Sequence, residues 1–225
     1  MKKLMWILAF IPTAITLFYY NQLPDIIPAH FDFNGNVDRW GNKIESLLLP
    51  SIILLLTIVM HFTINSIEKK ALKASSEKEL MEVNSVIKVM KFIAILENII
   101  FGILNCLLLI CFMGKETNTA SIMKYSLMLI GIMLIILGNY TSRVKRNTLV
   151  GFRMSYSLYN DITWLKSNRF ASKVMVIDGI LIFISTFIFE AKYLIILSIT
   201  NILISILIIM LKAKKIYEKE IKKDA

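Results

Sequence analysis

The chain has 225 residues, of which 56% are hydrophobic, with a mean hydropathy of +0.66 and a net charge of +10. So large an apolar fraction, gathered into long runs between polar loops, excludes an ordinary soluble domain and leaves a helical membrane bundle, because in hydrocarbon every backbone group must bond within its own segment. The positive charge calls for no direct nucleic-acid partner, since a basic surface facing a bilayer accounts for it.

Six apolar runs follow in chain order: Leu4 to Tyr20, Leu47 to Ile64, Phe92 to Met113, Ile122 to Leu137, Val174 to Phe189 and Tyr193 to Leu211. They predict an all-α integral membrane protein with six transmembrane helices. The first run has the basic start of a signal peptide, but Phe18 to Gln22 offers no small-x-small cleavage site, so it reads as a retained helix, with Pro12 as a place to kink. With the next run it forms a helical hairpin over residues 1–66.

The loop inside that hairpin is dense in turn formers and aromatics. Pro24 and Pro28 restrict the backbone, and Asn34-Gly35 and Trp40-Gly41 permit positive φ, which predicts a compact structured loop or short β-hairpin. Asp25, Asp32, Asp38 and Glu45 against Arg39 and Lys43 leave a local charge of −2. Such an acidic, aromatic surface suits a cationic or amphipathic peptide. Residues 67–91, rich in lysine and glutamate, read as a connector that forms a solvated helix. A four-helix region over 92–211 follows, interrupted by a loop at 139–173, and residues 212–225 read as a basic tail. Cys106 and Cys111, five apart in the third run, fit neither a metal spacing nor one helix face and read as packing residues.

Charge sets the expected orientation. If the N-terminus is cytoplasmic, 21 lysines and arginines fall inside and only Arg39, Lys43, Lys115, Lys124 and Lys192 outside. The bias predicts both termini in the cytoplasm, the 139–173 loop inside and the proline-rich loop outside.

The 139–173 loop stands out because Arg143, Arg146, Arg153 and Arg169 are four of the five arginines in the chain. The guanidinium fork suits carboxylates, helix ends and aromatic faces better than the lysine point charge. Asn160, Trp164 and Asn168 are spaced by four and share one face if the fifth helix begins near Ser157 or Asn160, both good caps. That face reads as amphipathic and interfacial. The alternative makes Trp164 a belt residue and the arginines positive-inside anchors. Glu97 and Asp178 should sit at one shallow depth with Asn98 and Asn139 near them, a buried polar layer in which the two acids pair with loop arginines. Asn105 and Asn201 read as interhelical hydrogen-bonding residues.

No catalytic constellation is legible. His30-x-Asp32, with Asp25 and Asp38 nearby, is a weak start to a metal site, and there is no His-Glu-x-x-His, Gly-x-Ser-x-Gly or phosphate-cradling loop. The expectation is a protein that is not an enzyme, with no metal and no cofactor. A transporter is the better rival, with the polar layer lining a pathway. Against it stand the lack of an inverted repeat and of mid-membrane charge, although a homodimer would supply a missing half.

The pattern Asn147-x-x-x-Gly151-x-Arg153, Ser157-Leu158-x-Asn160, Trp164 and Asn168-Arg169 resembles the SdpI family of bacterial membrane proteins. The earlier pattern, Leu23-Pro24-Asp25-x-Ile27-Pro28-x-His30-Phe31-Asp32-x-x-Gly35-x-x-Asp38-x-Trp40-Gly41, resembles the small domain of unknown function that often precedes it. The resemblance implies a multipass protein of the bacterial cell membrane that protects a toxin producer from its own secreted peptide toxin. It also implies signalling, since in the best-known member the protein holds a transcriptional repressor at the membrane when toxin is present. On this reading Pro24, Asp25, Pro28, His30, Asp32, Gly35, Asp38, Trp40 and Gly41 meet the toxin. Asn147, Gly151, Arg153, Ser157, Asn160, Trp164, Asn168 and Arg169 meet the cytoplasmic partner. The rival function is a small multidrug or peptide exporter.

Overall fold

The computed structural model describes all residues except 115–118, 148 and 225, so Lys115, counted above among the outer charges, lies outside the described residues. Helix α1 (Lys2–Tyr19) leads through a short 3-10 turn into strands β1 (Ile26–Phe31) and β2 (Val37–Asn42). Then come a second 3-10 turn and α2 (Leu48–Ala71), α3 (Glu77–Met113), α4 (Thr119–Thr141), α5 (Asp161–Ile188) and α6 (Ala191–Asp224). All six α-helices are long and apolar enough to cross a membrane, and the protein is an all-α six-span membrane bundle carrying one β-hairpin.

The helices outrun the apolar segments. The expected connector, 67–91, is the end of α2, a turn at residues 72–76 and the first part of α3, started by the Ser76 side chain, which accepts from the Glu79 N–H at 3.2 Å. Only one face of this stretch is solvated. Val86, Ile87, Val89 and Met90 are buried, packed with Met5, Ile64, Ile67, Val144 and Val150. They fall at the i, i+1, i+3, i+4 spacing of an amphipathic stripe. Charge composition hid that stripe. Glu68 ties the same end together, pairing with Lys2 and, at 2.7 Å, with Lys91. The expected basic tail is likewise the end of α6, whose buried Glu220 pairs with Lys166 of α5 at 2.7 Å.

Two helix groups make the bundle. In the first, α3 binds α1 and α2 through asparagines: the Asn98 amide donates to the Met5 carbonyl at 2.9 Å and accepts from Thr57 at 3.0 Å, and the Asn105 amide donates to Thr16 at 3.0 Å. In the second, α4 and α5 approach so closely that a methyl on Gly179 would lie 2.5 Å from the Gly131 carbonyl oxygen. Asn201 and Ser205 of α6 donate to Asp178 of α5. Asn105 and Asn201 are thus interhelical, as their position predicts. The single polar layer is not found. Asn98 belongs to the first group and Asp178 to the second, while Asn139 is exposed and returns its amide to the Ile135 carbonyl of its own helix at 3.0 Å.

Candidate functional site

The loop between α4 and α5 is held by the residues that mark it in the sequence. Asn147 closes its first turn: the side-chain oxygen accepts from the N–H groups of Leu149 and Val150 at 2.8 and 2.7 Å, and the amide donates to the carbonyls of Lys145 and Val150. Gly151 follows at φ +117°, a conformation L side chains rarely adopt. A methyl there would also lie 2.7 Å from Asn168 Oδ1 and 2.9 Å from the Trp164 ring. Ser157, fully buried, accepts from the Met154 N–H at 2.9 Å and donates to the Phe152 carbonyl at 2.8 Å. Asn160 caps α5 in a reciprocal capping box with Thr163.

The face carrying Asn160, Trp164 and Asn168 exists, but it points inward. Trp164 is only 2% exposed, and its indole N–H donates to the Val144 carbonyl at 2.9 Å. Asn168 accepts from the Phe152 N–H at 2.7 Å and donates to the Trp164 carbonyl at 3.1 Å. Both sequence alternatives, an interfacial face and a belt tryptophan, are therefore replaced by a third: these residues fasten the loop onto the start of α5. A helical period shows which side chains share a face; it does not say whether the chain folds back over that face.

The arginines stay outside this lock. Arg143, Arg153 and Arg169 are exposed, and Arg146 pairs with Asp161 at the N-terminus of α5 at 2.8 Å and donates to the Leu158 carbonyl at 3.2 Å. The expected pairing of Glu97 and Asp178 with loop arginines does not occur. Asp178 faces α6, where Ser205 and Asn201 donate to it at 2.6 and 3.2 Å, and Glu97 has no hydrogen bond or ion pair among the described residues. From the far end of α6, Tyr217 packs on Tyr156 and Tyr159 of the loop, with ring centroids 5.3 and 5.1 Å away.

The proline-rich loop is a β-hairpin, with Ile26 opposite Asn42 and Pro28 opposite Trp40. Asp32 builds its tip, accepting from the N–H groups of Asn34 and Asn36 at 2.8 Å each; above all the Asn36 N–H holds its carboxyl below the usual range. Gly35 lies at φ +85°, as the Asn-Gly pair predicts. Gly41 does not adopt positive φ: it is a strand residue whose missing side chain leaves room for the Glu45 carboxylate, which Arg39 binds at 2.7 Å. Lys43 pairs with Asp25 at 2.8 Å, and its hydrogen bond lowers the Asp25 pKa. His30 meets Asp38 at 2.6 Å. Each of the four acids thus has a partner within the hairpin region, and they do not converge. Among the described residues no three His, Cys, Asp or Glu side chains gather in a way that would hold a metal. Trp40 is 60% exposed, Ile26 and Phe33 are exposed as well, and the Thr119 hydroxyl at the start of α4 donates to the Gly35 carbonyl.

Between α3, α4, α5 and α6 lies a cavity of about 620 Å³. Leu149 to Phe152 of the loop wall one end of it, Asp178 and Ser205 line it deeper in, and Met60 and Met90 close one side. No sequence pattern announces it, because it is bounded by residues from six separate segments, α2 to α6 and the loop.

Six apolar helices, a β-hairpin between the first two and a folded arginine loop between the fourth and fifth define a multipass helical membrane protein with an ordered extramembrane element at each end. Residues 143–212 match the SdpI/YfhL protein family, and residues 7–54 match a domain of unknown function, DUF1648. Immunity protein SdpI of Bacillus subtilis (strain 168) is 28% identical over 209 residues, which cover 92% of this chain and 90% of that protein. An uncharacterized protein of Archaeoglobus fulgidus is 37% identical over 54 residues, 21% of this chain and 30% of that protein. No solved structure matches. The resemblance carried by the motifs thus holds: the chain is a multipass bacterial membrane protein whose sequence is similar to the SdpI family over its second half, with the match to DUF1648 ahead of it.

Proposed function

We propose that this protein confers immunity to a secreted peptide toxin, with both termini in the cytoplasm, the hairpin outside and the arginine loop inside. The observation that carries the reading is the 28% identity to an immunity protein across 92% of the chain. The orientation rests on the charge bias, 21 basic residues against 5. The hairpin is the toxin-facing element. Its charge of −2 and its exposed Trp40 and Phe33 suit an amphipathic or cationic peptide, and its internal ion pairs keep it preorganised. The exposed Arg153 and Arg169 present the inner surface to a cytoplasmic repressor, while the buried motif residues hold that surface in shape.

The test is resistance in a toxin-sensitive cell at matched membrane levels. Trp40→Ala and Asp25→Ala should lower resistance, whereas Arg153→Ala should spare resistance and abolish recruitment of the repressor. A second reading, export, is favoured by the cavity beside Asp178. Resistance that survives loss of the hairpin residues but disappears when the proton gradient is dissipated would establish export and refute capture at the hairpin.

A further inference from the structure

We infer that the cavity between α3, α4, α5 and α6 binds a small hydrophobic cation, an ammonium group on an apolar tail, with Asp178 as its counter-ion. Asp178 is 7% exposed, and both of its hydrogen bonds, from Ser205 at 2.6 Å and Asn201 at 3.2 Å, go to Oδ1. Oδ2 has no partner among the described residues. Of the side chains lining the cavity Asp178 is the one acid, and no lysine, arginine or histidine is among them. A carboxylate held in apolar surroundings without a cation is costly, and a ligand that carries the cation removes that cost.

The rest of the wall fits the tail of such a ligand. Asn168, at the loop end, precedes Asp178 by ten residues, so the cavity runs for about 15 Å along α5 at 1.5 Å per residue. Leu134, Leu137 and Met175 lie among its walls, with Met60 and Met90 as adaptable thioethers opposite. At about 620 Å³ it falls in the range of small-molecule sites, roughly 300–1,000 Å³. A peptide toxin is too large for it. The inference therefore stands apart from toxin capture at the hairpin.

Full-length protein in nanodiscs of neutral lipid is titrated calorimetrically with octylammonium and with 1-octanol, against empty nanodiscs. Saturable octylammonium binding is expected in the wild type. Asp178→Asn keeps the shape and the acceptor for Ser205, so it should weaken octylammonium by about tenfold or more, the loss of one charge-assisted hydrogen bond. It should leave 1-octanol unchanged, which also reports that the variant is folded. Ile209→Trp, a larger side chain at a buried position of the cavity wall that leaves Asp178 in place, should abolish binding of both. The inference is overturned if the wild type binds neither probe, if it holds both alike, if Asp178→Asn keeps full octylammonium affinity, or if Ile209→Trp still binds octylammonium saturably.

Discussion

Replacing Trp164 by alanine tests whether the loop motif is a lock. The indole is 2% exposed, touches the space left open at Gly151 and satisfies the Val144 carbonyl at 2.9 Å. Truncating a buried tryptophan costs about 3–5 kcal/mol, and a buried carbonyl left without its donor adds about 1–3 kcal/mol. Because the helices are held by the bilayer, we predict that the damage appears as local opening of the loop rather than loss of the bundle. Each 1.4 kcal/mol multiplies the open population about tenfold. Limited trypsin digestion in nanodiscs reads that population at Arg153, which is exposed on an otherwise ordered loop. Trp164→Ala should therefore be cut about a thousandfold faster than wild type or more. Trp164→Phe retains most of the packing and loses only the N–H donor, so about tenfold is expected. A Trp164→Ala protein cut at the wild-type rate would mean that the tryptophan does not hold the loop, and the structural reading of the motif would be wrong.

Three other outcomes are expected. With Cys106 and Cys111 replaced, an impermeant thiol reagent on intact cells should label a cysteine at Asn36 and not one at Ser155; the reverse labelling would invert the topology. Asp178→Ala and Arg153→Ala should be additive in thermal stability to within about 0.5 kcal/mol, since neither contacts the other's partners; a larger coupling would restore the ion pair that the structure does not contain. The hairpin should loosen in acid. Asp25 and Asp32 have folded pKa values below their ordinary ones, so they contribute stability that is complete above the unfolded value and is lost as pH falls through the lower folded value. The protection of the Asn34 and Asn36 amides, their exchange measured against the intrinsic rate at each pH, should therefore be full at neutral pH and fall only below about pH 4; protection unchanged down to pH 2 would remove Asp32 as the organiser of the turn.

Much of this architecture is readable one segment at a time. The six helices follow from apolar length, because a lipid-exposed backbone must satisfy its own hydrogen bonds whatever its neighbours do. The hairpin follows from Pro24, Pro28 and Asn34-Gly35, and the start of α5 from Asn160, since turn and cap chemistry acts over three or four residues. The face shared by Asn160, Trp164 and Asn168 is legible for the same reason. What that face meets is not. The Trp164 partner is a carbonyl 20 residues earlier, and the Asn168 partner is an amide 16 residues earlier.

Tertiary structure decided the direction of every long-range polar contact. The charges of Glu97, Asp178 and the arginines state a need for neutralisation but not where each side chain points. That depends on the rotation of each helix about its axis, which packing sets: the Gly131–Gly179 approach fixes α5 against α4 and turns Asp178 toward Ser205 and Asn201 of α6. Likewise the apolar stripe at Val86 to Met90 is buried because the ends of α1 and α2 and the arginine loop close over it, and the cavity exists because five helices and that loop leave space between them. Local chemistry specified the elements of this protein; the distances between elements, which no segment contains, specified its interior.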